Sequence, residues 1–281
     1  MTRRGPVAGR RRRSSAWSAR SLLIAFVSTA IVFGGLAWLV VNSPGWPLVE
    51  RSFLNARVFA EAWPRQVAAI WRNVQLFLIA EAIILPFALL LAVMRALPGP
   101  VAFPLRILAT IYTDLFRAVP GVLVIALLGF GIPALGLPGV PREAFFWGVV
   151  ALTLVYSAYV AEVYRAGIQS VHPSQAAAAR SLGLSQLQAL RHVVVPQAVR
   201  RVVPPLLNDF IGLQKDTALV SFIGVVEVFR QAQIDQSANF NFTPYLVTAL
   251  LFVVITIPLA RFTDYLVERD RRRQFATRAF G

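Results

Sequence analysis

The stretch Leu22–Val41 reads LLIAFVSTAIVFGGLAWLVV, twenty positions without a charge. At about 1.5 Å of rise per residue, twenty helical residues cover about 30 Å, the thickness of a bilayer's hydrocarbon core. Further apolar runs repeat the pattern along the chain. One extends from about Trp71 to Met94, interrupted by Glu81, and others occupy roughly Ile107–Leu128, Phe145–Tyr164 and Pro244–Phe262. A less regular run, about Pro204–Val226, carries Asp209, Lys215 and Asp216. The reading is an all-α polytopic membrane protein with about six spans. Barrel strands are excluded because they alternate over about ten residues, whereas these runs are continuous. Composition agrees: of 281 residues 57% are apolar and only 15% charged, against about 25% charged in soluble domains. Without cysteine, disulfides and thiolate-held metals are ruled out.

The formal charge is +15, from 28 Lys+Arg against 13 Asp+Glu. Arginine placement gives it a membrane meaning. Arg3, Arg4, Arg10–Arg13 and Arg20 precede the first span with no acid among them. If that tail is cytoplasmic, six spans return the C-terminus to the same side. Twenty basic residues then lie inside and six outside: Arg51, Arg57, Arg65, Arg72, Arg142 and Arg230. The bias makes nucleic acid unnecessary as a partner; the basic tails read as solvated or lipid-attracted flanks. The first apolar stretch exceeds the 7–15 residues of a signal peptide, and no small-x-small cleavage site follows, so it reads as a retained anchor.

Between the fourth and fifth spans lies a polar stretch, residues 172–198. Pro173 ends what precedes, Ser174 can cap a short helix, Gln175–Arg180 are good helix formers, and Gly183 can stop the helix in a left-handed turn. Ser185 then reads as the cap of a second short helix ending before Pro196. Helices this short do not persist alone in water, so they require a docking surface. The alanine run lets another backbone approach closely.

The spacing Ala177-Ala178-Ala179, three residues, Gly183, nine residues, Val193-Val194-Val195-Pro196 resembles the EAA loop of ABC-importer permeases, E-A-A-x3-G-x9-I-x-L-P. Three further motifs are similar to the polar amino-acid uptake branch of that family. Phe116-Arg117-Ala118-Val119-Pro120 is similar to F-R-G-T-P at the start of a membrane helix. Glu162 through Ile168 resembles A-E-x-x-R-G-G-I, and Lys215-Asp216-Thr217-Ala218-Leu219-Val220-Ser221 matches K-D-T-S-L-V-S. The resemblance covers roughly 67–270. It departs at Ala177, where the family has Glu, which removes one polar contact to the ATPase, and before Pro196, where every aliphatic is valine.

The resemblance implies a permease subunit that translocates a polar amino acid, or a close derivative, across the bacterial inner membrane. Ser174, Gln175, Ala176, Ala177, Ala178, Ala179, Arg180, Leu182 and Gly183 form its coupling helix, with Pro196 fixing the exit. The implied partners are ABC ATPase subunits, a second permease copy or homologue, an extracytoplasmic solute-binding protein and membrane lipid. ATP and Mg sit on the ATPase, and this chain binds no cofactor. The residues independently agree that the motor is separate. A P-loop needs Gly-Lys-Ser/Thr, and the only lysine, Lys215, follows Gln214. The division read from the sequence is a tail at 1–21, an anchor with an external segment at 22–66, the permease core at 67–270 and a tail at 271–281. The external segment, with Trp46 and Trp63, reads as an aromatic belt or a binding-protein contact.

Charges inside spans are costly and face protein or water. Glu81 either lines a path for an ammonium or guanidinium group or pairs with a polar neighbour. Asp114 with Arg117, and Glu162 with Arg165, read as intrahelical or interfacial pairs. Adjacent Lys215 and Asp216 cannot share a helix face, so with Thr217 they mark either a broken helix at a gate or a brace between spans. His172 and His192 lack a sequence-near acid and carry no metal or catalytic role. Two other function classes were weighed. A channel or secondary transporter predicts symmetrical halves, and a lipid enzyme predicts clustered acids or histidines; neither pattern occurs.

Overall fold

The computed structural model describes residues 19–97 and 99–279. Residues 1–18 of the basic N-terminal tail and the side chains from residue 270 onward, including Arg271, Arg272, Arg273 and Arg278, lie outside the described residues. The described chain is helical throughout, with no strand among the described residues. Four helices are long and apolar enough to cross a membrane, and two bent pairs bring the number to six.

Contacts divide the chain into two units, 1–51 and 52–281. The first holds α1 (Ala19–Val41), whose side chains from Leu22 onward are all exposed. An apolar helix exposed on every face belongs in hydrocarbon. A second helix, α2 (Trp46–Phe53), follows it.

The second unit runs from Ser52 to the end of the chain. Its long helix α3 (Ala56–Ala96) starts fifteen residues ahead of the expected span and is about 60 Å long, twice the hydrocarbon thickness. Asn55 caps it by accepting from Arg57 N and Val58 N. The segment ahead of the expected span is therefore helical. It is fastened to the far end of the chain: Asn55 N donates to Thr243 Oγ1 at 3.1 Å, Phe242 N donates to Ser52 O at 2.7 Å, and Phe53 stacks on Phe242.

The expected third span, Ile107–Leu128, is two helices. α4 (Phe103–Ala118) and α5 (Gly121–Ala126), which runs through a π-turn at Leu127–Gly131 into α6 (Ile132–Ala134), meet at 104°. Pro120 supplies no N–H and drives the residue before it out of the helical region; Val119 is extended, at φ −87° and ψ 130°. The span after it matches expectation as α7 (Ala144–Gln169). α8 (Pro173–Ser181) and α9 (Gln186–Ala189) follow. A π-turn at Leu190–Val194 leads into α10 (Val195–Asp216), which passes through a 3₁₀ segment, Thr217–Ile223, to α11 (Val228–Asn239). The last helix is α12 (Thr243–Ala279).

The core lies where α3 packs along α7. Leu76, Ala80, Ile84, Ala88 and Leu91 form a buried stripe on α3, facing Ala151, Leu152, Val155 and Ala161 of α7. Small residues in the stripe let the backbones approach, which is how helices gain van der Waals contact in lipid. Gly167 does the same between α7 and α10: a Cβ there would lie 2.0 Å from Val202 Cγ1 and 3.4 Å from Ala198 O.

Gly167→Ala is expected to lower stability by about 1–3 kcal/mol through overpacking, read as a lower thermal midpoint in detergent micelles. Gly131→Ala, where a Cβ meets nothing within 4 Å, is the control and leaves the midpoint in place.

Candidate functional site

The short helix α8 starts three residues after α7 ends. His172, not Ser174, is its N-cap: its Nδ1 accepts from Ser174 N at 3.2 Å and lies 2.8 Å from Ser174 Oγ. Pro173 then occupies the first helical position, where a missing N–H costs nothing. At the other end Gly183 takes φ +90°, and Gly183 N and Leu184 N donate to Arg180 O and Ala179 O. Ser185 and Gln188 close a reciprocal capping box, with Gln188 N donating to Ser185 Oγ at 3.3 Å and Ser185 N to Gln188 Oε1 at 2.8 Å.

Only Ala179 of α8 is buried. Ser174, Gln175, Ala177, Ala178, Arg180 and Gly183 are exposed, Ala176 is half-buried, and Leu182 is 84% exposed. Both ends are capped, yet its alanine face and an apolar Leu182 tip are left open. Pro196 does not end the second helix. It stands in the first turn of α10, directly after the π-turn. Pro196 cannot donate to the carbonyl four residues back, and its ring crowds that group; widening the turn relieves the clash without breaking the rod.

The charges within the spans fall into three places. On the α8 side, Glu162 accepts from Arg95 Nη1 at 2.8 Å, is bonded by Arg165 through Nε and Nη2, and lies 4.0 Å from Arg117 Nη1. The Glu162–Arg165 pair is as expected. The Asp114–Arg117 pair is not: Arg117 turns toward Glu162, and Asp114 is exposed. One carboxylate crosslinks three helices.

Deeper in the bundle, Glu81 of α3 lies close enough to Asp209 of α10 and to Tyr164 of α7 for their charges to interact. Among the described residues Glu81 forms no salt bridge, and Asp209 Oδ2 is buried with no hydrogen-bond partner.

The third place is the joint after α10. Lys215 and Asp216 end the α-helix, and the 3₁₀ segment begins at Thr217. They face different ways: Asp216 Oδ2 accepts from Tyr156 Oη at 2.8 Å, while Lys215 is exposed. Thr217 is fully buried, donates to Gln214 O and accepts from Asn73 Nδ2 at 3.0 Å. Asn73 Nδ2 also reaches Glu227 Oε2 at 2.8 Å, and Asn73 Oδ1 accepts from Val228 N at 3.1 Å. Glu227, fully buried, caps α11 by accepting from Phe229 N and Arg230 N. Gln66, one further heptad back on α3, donates to Pro244 O and accepts from Thr248 Oγ1. Thr217 thus belongs to a brace, and Asn73 is separated from Glu81 by about 12 Å of helix rise.

Sequence reading missed Asn73, Gln66 and Glu227. The available signal was polar residues seven apart on one helix face, with an acid directly before Val228-Phe229-Arg230 at a cap position. No group of residues able to hold a metal occurs among the described residues.

The described residues form a helical membrane bundle with a broken span and an exposed, capped helix between two of its spans. Residues 84–272 match the family described as "Binding-protein-dependent transport system inner membrane component", and the chain belongs to that family. It is 38% identical over 194 residues to the probable glutamine ABC transporter permease protein of Bacillus subtilis, covering 68% of this chain and 88% of that one. It is 34% identical over 223 residues to the glutamate transport system permease protein of Corynebacterium glutamicum, covering 75% and 96%. Among solved structures, one described as an amino acid ABC transporter with histidines superposes with a TM-score of 0.71 at 33% identity, covering 76% of this chain and 98% of that one.

Asn73→Ala leaves Thr217 and the Glu227 carboxylate short of a donor and Val228 N short of an acceptor. It is expected to cost about 1–3 kcal/mol, seen as a lower thermal midpoint and as faster proteolysis at the 217–228 joint.

Proposed function

We propose that this chain is the membrane subunit of an ATP-driven importer for a polar amino acid or a close derivative. The relatives named for glutamine and glutamate transport support the solute class, as does the amino acid ABC transporter of similar structure. The observation that carries the ATP-driven part is α8, rigidly capped and with its alanine face and Leu182 uncovered. A separate ATPase, holding ATP and Mg, receives that face. The arginine bias puts α8 and both termini in the cytoplasm. Two permease subunits, identical or homologous, frame the path in the bacterial inner membrane, and a solute-binding protein delivers ligand outside.

Movement of α8 travels through the short turn at 182–184, the Ser185 box and the π-turn, which runs without a break into α10. At the far end of α10 the 3₁₀ segment and the 49° bend to α11 give a joint, marked by Lys215, Asp216 and Thr217, at which one side of the path can open. ATP-bound and ATP-free ATPases hold α8 at different positions and so bias the two states differently. The carboxylates of Glu81 and Asp209 face the charge that every free amino acid carries, an ammonium group.

Gly183→Val puts a β-branched residue at a left-handed position, which strains the end of α8. Retention of the cognate ATPase on purification and ATP-dependent uptake into proteoliposomes are both expected to fall at least about tenfold, with the thermal midpoint nearly unchanged because α8 lies outside the core. Undiminished coupled uptake overturns the docking role. Glu81→Gln is expected to raise the KM for labelled amino acid about tenfold, the worth of one charge-assisted hydrogen bond, while ATPase retention stays at the wild-type level. An unchanged KM removes Glu81 from the path.

A further inference from the structure

Where the end of α3, the start of α4 and the end of α7 converge, on the α8 side of the bundle, lies a cavity of about 490 Å³. Arg95, Arg106 and Arg165 line it, and no carboxylate does. The nearest acid, Glu162, holds Arg95 and Arg165 from behind. Arg106 is fixed by donating through Nη1 to Leu97 O and Gly99 O, both at 2.7 Å, and has no acidic partner among the described residues. With Arg117 added, three guanidiniums share the Glu162 carboxylate, and Arg106 stands beside them without one. Arg95 is only 16% exposed and Arg165 31%. Cations held this far from water need more counter-charge than Glu162 provides.

The wall on the α4 side is apolar and open. Phe103 is 54% exposed, Ile107 42% and Ile111 59%, all on one helix, with the Arg106 guanidinium over the Phe103 ring. A free inorganic anion would satisfy the guanidiniums but leave this wall bare. An amphiphile with a phosphate at one end and a hydrocarbon chain at the other covers both.

We propose that this cavity binds the phosphate of an anionic membrane lipid, with an acyl chain lying along Phe103, Ile107 and Ile111. Arginine forks suit phosphate oxygens, and basic pockets between spans on the cytoplasmic side are where anionic headgroups settle. The site lies away from Glu81 and from the exposed face of α8, so it stands whether or not the solute assignment does. It gives the membrane's anionic lipid content a grip on α7 three residues before α8.

The test is native mass spectrometry of the full-length chain, released from detergent after incubation with phosphatidylglycerol or with zwitterionic phosphatidylcholine. Preferential retention of one phosphatidylglycerol per chain is expected, weakened about tenfold by Arg106→Gln and unaffected by Arg200→Gln, which removes the same charge from an exposed position elsewhere on that side. Because Arg106 also ties a loop, Ile111→Glu serves as a second variant. It leaves those carbonyl bonds intact, puts a negative charge on the exposed wall, and is expected to abolish the preference. Equal retention of both lipids, or retention that survives both cavity variants, overturns the proposal. So does inorganic phosphate that displaces the lipid at millimolar concentration and binds the delipidated chain with the same Arg106 dependence, since the site is then one for a free anion.

Discussion

Hydrocarbon offers no hydrogen bonds, so each break in a membrane helix must be closed by protein. The passage from α10 to α11 frees backbone groups at Val228, Phe229 and Arg230 in the middle of the bundle. Asn73 and Glu227 close it. Asn73 bonds to both sides of the break, accepting from Val228 N while donating to Thr217 and Glu227. The 3₁₀ segment can therefore exist inside the membrane, and α3 carries the brace because it runs the full height of the unit. The arrangement fixes where the chain is rigid and where it can bend.

Rigid and pliant parts alternate along the second half of the chain in a way that suits transmission of force. The α8 cap at His172 and the Ser185–Gln188 box are local bonds that need no support from the bundle. The π-turn before Pro196 carries the helix direction forward without a loop, whereas Gly224, at φ +90°, and the capped start of α11 allow a change of direction. Glu162 ties the base of α7 to α3 through Arg95 and brings Arg117 of α4 close. In the proposed coupling role, movement at α8 would meet this stiff base and pass along α10.

Much of this was legible in residue order. Spans one, two, four and six were read from continuous apolar runs, because lipid contact demands apolar side chains whatever the partner helix is. The α8 segment was read from Pro173, the alanines and Gly183, whose effects are local. The third span reads in the sequence as one apolar run, Ile107–Leu128, because hydropathy counts residues and is blind to the 104° turn at Pro120. The Asp114–Arg117 pair failed for a related reason. Three-residue spacing permits an intrahelical contact, but a carboxylate already fixed by Arg95 on another helix attracted Arg117 more strongly than exposed Asp114 could.

What the sequence determined by itself is what depends on neighbours within about four residues or on bulk transfer to lipid: helix existence, the Ser185 cap and the left-handed stop at Gly183. Only the tertiary structure decided which polar residues meet. Asn73 and Glu227 are 154 positions apart and Arg95 and Glu162 67 apart, and nothing in either stretch names the other. In a medium without water, a polar side chain's role is set by the partner that packing brings to it, and packing is a property of the whole fold.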